Sequence, residues 1–284
     1  MARGKQGYSF WVKAGFVLYA MAVLIVFIYI QFPYDALKDR LEQTLSSTFG
    51  SEVALGHMHA HLPLGLAADG LDINAVPVAT RVIFYPQFTR LFFGRFGVDI
   101  TAQLLTGEID GFVTTPVRGV GKTVEIVLDA QGVDSASFSK LLPAHIQPRG
   151  IISGHAQVNG PPDSIDKVSG VVSLVWKDGS LPLSIPTVPL DAIAFKSIEM
   201  DANLDKGMLT IERGELSGDI SGTVKGAIRV RELFERSRLN LTGEVMLPEG
   251  MKGLLGIKGQ DASAGLKFSL RGTLGSPRFR ILSR

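Results

Sequence analysis

The chain has 284 residues, 45% of them hydrophobic and 20% charged, with 29 basic against 27 acidic side chains. That balance gives no clustered basic footprint for nucleic acid, and the absence of cysteine excludes disulfides, thiolate metal sites and cysteine nucleophiles. The 32 glycines suit many short strands with tight turns and bulges.

The first element is apolar. No charged residue occurs from Ala14 to Tyr34, and about 20 apolar residues suffice for a helix to cross the hydrocarbon. Tyr8, Phe10 and Trp11 precede the run and Tyr29, Phe32 and Tyr34 close it, which places aromatic rings at headgroup level on both sides. Arg3, Lys5 and Lys13 lie before it and Asp35 after it, so the positive-inside rule assigns residues 1–13 to the cytoplasm and the rest to the outside. The expected transmembrane helix is 14–32, with Phe16, Val17, Leu18, Leu24, Ile25, Phe27 and Ile28 in lipid. A cleaved leader would carry a shorter apolar core and a small-x-small site. Here the run leads into Gln31–Phe–Pro–Tyr–Asp35 instead.

Pro33 suits a first helical turn, and Leu37, Leu41, Leu45 and Phe49 recur at i+4 up to Gly50. This predicts a juxtamembrane amphipathic helix over 33–49 that lays its stripe on the first strands. Residues 50–284 then read as one β-rich domain. Val53 and Leu55, then Leu62, Leu64 and Leu66, alternate through a Gly/Pro-punctuated stretch, followed by Val82 and Phe84. A short helical patch opened by Pro86 carries Phe88, Leu91, Phe92 and Phe96 on one side and is expected to close one end of the sheet. Further on, Val124, Ile126 and Leu128 alternate with polar neighbours, as do Ile152, Ala156 and Val158, and Ile198 to Leu204. The clearest run puts Ile220, Val224, Ile228 and Val230 on one face, and the last sets Leu266, Phe268 and Leu270 against Lys267, Ser269 and Arg271. Such runs describe antiparallel strands with one apolar and one wet face. A long curved sheet of this kind must hide its apolar face against a helix, a second sheet or a ligand, so Ile220, Val224, Ile228, Leu266, Phe268 and Leu270 are the candidate lipid or partner surface. Gly150–Ile–Ile–Ser–Gly154 and Gly214–Glu–Leu–Ser–Gly218 are similar and are each expected to open a strand. Pro182, Pro186 and Pro189 disfavour a central strand and mark 177–191 as a crossover between halves.

Little in the chain signals catalysis. His57, His59 and His61 would share one strand face, but no second-shell partner or further ligand is visible nearby. A polar strand face is the expectation, with no metal or cofactor. Gly119–Val–Gly121–Lys122–Thr123 resembles the end of a phosphate loop, yet Pro116 stands where that motif needs glycine, and the following residues read as a strand. Arg81, Arg90 and Arg95 interleave with Phe84, Tyr85, Phe88, Phe92, Phe93 and Phe96, consistent with a short amphipathic helix or a membrane interface. No G-x-S-x-G or H-E-x-x-H occurs, and no enzymatic activity is expected.

Several segments carry a family resemblance. The apolar span running into Phe32–Pro–Tyr–Asp–Ala–Leu–Lys–Asp–Arg–Leu41 resembles the start of type II secretion system protein N in its deltaproteobacterial and spirochaete-type versions. Leu62–Pro–Leu–Gly–Leu–Ala–Ala–Asp–Gly–Leu71 resembles that family's first strand turn. The stretch from Leu216 to Val230, with Glu235–Arg–Ser–Arg–Leu239, resembles its late strands. The ending Leu270–Arg–Gly–Thr–Leu–Gly–Ser–Pro–Arg–Phe279 is similar to the closing signature of AsmA-like envelope proteins. The resemblance implies a non-enzymatic accessory of the secretion machine, single-pass in the inner membrane, whose periplasmic AsmA-like sheet contacts the inner-membrane platform or the secretin. It also implies an alternative, a lipid-binding or lipid-transfer module holding phospholipid in an apolar groove.

Overall fold

A computed structural model of the chain describes residues 10–117, 123–141, 147–161, 164–181, 193–231, 236–246 and 265–282. Helix α1 (Phe10–Ile30) is followed by α2 (Tyr34–Phe49). Pro33 breaks the helical path between them, and Asp35 complements the positive end of α2. Gly50 closes α2 at φ 65°, donating its N–H to the Ser46 carbonyl at 3.0 Å, a left-handed stop that glycine adopts without a side-chain clash.

Fourteen strands follow. The first seven are β1 (Val53–His61), β2 (Gly65–Ile73), β3 (Val76–Pro86), β4 (Arg95–Leu104), β5 (Glu108–Pro116), β6 (Val124–Asp134) and β7 (Arg149–Gly160). The remainder are β8 (Ser169–Leu181), β9 (Ile193–Asp205), β10 (Met208–Ser217), β11 (Ser221–Arg229), β12 (Arg238–Met246), β13 (Leu266–Thr273) and β14 (Ser276–Ile281). They form one open sheet whose spatial order is the sequence order, every neighbouring pair antiparallel. The local chemistry favours this meander. At the β9–β10 turn, for instance, Lys206 and Gly207 both take positive φ, the two-residue geometry whose twist matches that of antiparallel strands.

Several sequence expectations change in this frame. Helix α1 begins four residues before Ala14 and ends two before Phe32. Leu62–Leu64 is not strand but the exposed β1–β2 turn, so the alternation there reflects chance spacing of leucines around Pro63. Gly214–Gly218 closes β10 rather than opening a strand, whereas Gly150–Gly154 does open β7. Within the proline-rich stretch, residues 182–192 lie outside the described residues. The strands flanking it, β8 and β9, pair directly from Ser169↔Asp205 to Leu181↔Ile193.

Cover over the sheet is sparse. Tyr34, Leu37 and Leu41 of α2 pack on Leu55, Met58 and Ala68; Leu45 is half-buried outside that cluster, and the side chain of Phe49 lies outside the described residues. A 3-10 turn at Ser135–Leu141 places Phe138 against a second cluster around Val82, Leu104 and Val133. Among the described residues the buried apolar side chains group into three clusters, two of them joined through Leu71.

Candidate functional site

Strand register carries one apolar face across the whole sheet. From β4 to β6 the aligned positions include Ile100↔Gly111↔Leu128 and Val98↔Val113↔Ile126. The line continues through Leu128↔Ala156↔Val172↔Ala202 and reaches Ile228↔Leu239 and Leu241↔Leu270 near the far end. Bulges keep the face continuous where alternation alone would lose it. Between Ile211 and Arg213 the β9–β10 register shifts, so Leu209 and Ile211 are followed on that face by Leu216.

Of the six residues expected from sequence on this face, Val224, Ile228 and Leu270 pack against the buried cluster of Ala202, Ile211, Leu239 and Leu241. Ile220 is buried just ahead of β11, Leu266 is half-buried, and Phe268 stacks on Phe279 with ring centroids 5.3 Å apart. Another weakly covered stretch of this face lies over β5 to β8. There Val113, Ile126, Val172 and Leu174 are only half-buried and Leu128 is 43% exposed. Their alternation is readable from sequence; their lack of cover is not. The molecule exposes 19349 Å², against about 12,000 Å² for a compact globular protein of this mass.

The opposite face is wet and cross-linked by side-chain pairs. Arg213 Nε donates to Asp201 Oδ2 at 2.8 Å, and that bond, followed by the attraction of the same carboxylate, raises the guanidinium pKa further. His155 Nδ1 lies 2.7 Å from Asp129 Oδ1. The three histidines of β1 share this face as expected. His57 and His59 stack at 6.1 Å, His59 lies 3.5 Å from Asp69, and His61 meets Tyr85 edge-on. Among the described residues no group of three or more His, Asp or Glu is placed to hold a metal ion. The glycine segment at 118–122 lies outside the described residues, and Val124 after it opens a strand rather than the helix a phosphate loop requires.

The phenylalanine patch is a 3-10 turn, Phe88–Phe93, and it does not close the sheet: none of its residues is buried, and Phe92 and Phe93 are 90% and 85% exposed. Its anchor is a cation. Arg90 lies over the Phe112 ring at 4.2 Å, and Gly97 beneath it leaves room, since a Cβ there would stand 3.1 Å from Arg90 Cδ. Helical spacing of the aromatics in the sequence pointed to them as the packed side; the short turn reverses that.

At the β1–β2 turn, the Tyr29 hydroxyl near the end of α1 lies 2.5 and 2.7 Å from the carbonyls of His61 and Gly65, and its single proton is shared between them. Tyr34 donates to the Tyr29 carbonyl at 2.5 Å. These bonds fasten α1 to the β1–β2 turn. Phe16, Val17, Leu18, Leu24 and Phe27 of α1 are exposed; the side chains of Ile25 and Ile28 lie outside the described residues. Among the described residues no helix is long and apolar enough to cross a membrane.

Comparison with protein-family models, with curated proteins and with solved structures found no match.

Proposed function

We propose that this chain is a membrane-tethered, non-enzymatic holder of acyl chains, with the apolar face of the sheet as the binding trough. The observation that carries this reading is the half-exposed apolar strip over β5 to β8, a strip that a folded chain in water ordinarily covers. Its neighbours in register extend it from one edge of the sheet toward the other. At about 4.8 Å per strand the fourteen strands span roughly 60 Å measured along the sheet, long enough to take a lipid chain at several positions.

Helix α1 supports the tether. Its 21 residues rise about 31 Å at 1.5 Å per residue, the thickness of a bilayer core. Lys13 near its start is its one charged residue, and Trp11, Phe16, Val17, Leu18, Leu24 and Phe27 are exposed while Tyr29 alone reaches the β1–β2 turn among the described contacts. In this reading α1 lies in the inner membrane with the N-terminus cytoplasmic and the sheet periplasmic. The test is mass spectrometry of the purified chain: phospholipid should co-purify near one per chain or above. Leu128→Gln, which puts an amide into the trough, should cut that occupancy while the β-sheet circular dichroism is retained. A lipid-free native chain ends the proposal.

A second reading is an accessory component of the type II secretion system that contacts its platform or secretin. It rests on the motifs at 32–41, 62–71, 216–230 and 270–279, and it is favoured by Phe92 and Phe93, which present two bare rings to a partner. Cross-linking from position 92 in cells that carry the secretion system discriminates the two. A specific adduct with a secretion component, together with an empty trough, selects this reading.

A further inference from the structure

Charge is distributed unevenly along the polar face. On β4 to β10 carboxylates outnumber cations. On the last four strands the balance inverts: Lys225 and Arg229 on β11, Arg238 on β12, Lys267 and Arg271 on β13, and Arg278 and Arg280 on β14 face a single carboxylate, Glu244. Register puts like charges directly opposite each other twice, at Arg229↔Arg238 and Arg271↔Arg278. Such pairs destabilise an antiparallel ladder. None of these seven cations is in an ion pair with a described residue. Arg271, Arg278 and Arg280, with Ser269, Thr273 and Ser276, line an open groove of about 490 Å³. A cluster of cations and hydroxyls kept against its own repulsion is a site for an anion.

The edge strand shows which kind of anion carrier fits. Every residue of β14 is exposed. Arg278 and Arg280 occupy one face, and Phe279 and Ile281 leave apolar side chains exposed on the other. A free phosphate or a rigid acidic protein patch meets one face of a strand. An interface that is charged at its surface and apolar just beneath can take both faces of an edge strand at once.

We propose that the β11–β14 end of the sheet, led by Arg271, Arg278, Arg280 and Phe279, docks on a bilayer surface bearing anionic phosphate headgroups. The proposal stands apart from the occupant of the trough, and the experiment keeps it apart from the role of α1. The full chain is held in an uncharged amphipol, which covers exposed apolar helix, and offered vesicles of phosphatidylcholine alone or with phosphatidylglycerol. Capture by the neutral vesicles measures any insertion through α1. Capture by the anionic vesicles should exceed it at least tenfold and fall in 0.5 M salt. The double variant Arg278→Gln/Arg280→Gln should bind roughly 25-fold more weakly, at about fivefold per charge.

Folding is controlled within the same experiment. Arg278→Gln relieves the repulsion with Arg271 and should leave the melting temperature equal or higher while binding weakens about fivefold. Phe279→Ser should weaken capture by anionic vesicles with all charges kept. Equal capture by neutral and anionic vesicles overturns the proposal, as does undiminished capture by the double variant. Vesicle-independent association of the chain, abolished by Asp129→Asn/Asp201→Asn, also overturns it and assigns the basic end to the acidic face of a second copy.

Discussion

The two ends of the sheet solve the problem of a strand edge in opposite ways. At the β1 end α2 lies alongside, and its side chains take the place of a missing strand. Ser46 Oγ accepts from the Val53 N–H at 2.9 Å and Glu42 Oε1 from the Leu55 N–H at 2.7 Å. Beneath them Met58 is 1% exposed. At the β14 end, the strand pairs on one side only among the described residues, and all its side chains are exposed. An uncovered edge invites another chain to add to it, and charge is one of the ways such pairing is blocked. The comparison teaches that one meander can be sealed by hydrogen bonds at one end and by repulsion at the other.

The largest difference between the ends should appear on truncation. Met58→Ala removes a packed side chain and should cost about 2–5 kcal/mol of unfolding free energy, whereas Phe279→Ala should stay within about 0.5 kcal/mol. Urea denaturation of both variants checks this, and equal losses would show that the β14 end is covered in solution. Next in size, Glu42→Ala leaves the Leu55 N–H without its acceptor and should cost about 1–2 kcal/mol. Hydrogen exchange should accelerate at Leu55 and remain unchanged on β13. A smaller gain is expected from Arg271→Glu, which turns the like pair with Arg278 into an opposite one and should add less than about 1 kcal/mol. A fall in melting temperature there would mean the arginines are already neutralised.

The smallest effect concerns the joint of α2 with α1. Burial holds the Tyr34 hydroxyl pKa above the usual tyrosine value. The folded state thus binds that proton more tightly than the unfolded chain does, so its contribution is full below about pH 10 and is lost as pH rises through the folded value. Ultraviolet titration should find fewer tyrosines ionising later than free tyrosine in Tyr34→Phe than in the wild type.

Much of the strand phase was legible from alternation alone. Ile198 to Leu204, Ile220 to Ile228 and Leu266 to Leu270 fall on the apolar face because a pleated strand sends every second side chain the same way. Alternation fails at bulges: one extra residue at Glu212 or between Ala130 and Val133 changes the parity of everything after it. Cover is also invisible from a single strand. Leu128 and Leu241 look alike in sequence, yet Leu241 joins a buried cluster and Leu128 does not. The basic end escaped notice for a related reason. Arg271 and Arg278 sit seven residues apart around a turn, and only their pairing makes them opposite.

The sequential strand order has a consequence for how the sheet comes into being. Each strand's first partner is the one made just before it, so no strand has to wait for a distant segment to close the ladder. Contacts between successive hairpins are short-range along the chain, which lowers the entropic barrier that slows most all-β proteins. A chain of this kind can zip up in order as it emerges from a narrow pore, beginning at the hairpin that α2 caps. The cationic end is then the last part to take shape, after the end that α2 covers and the exposed strip over β5 to β8 are set.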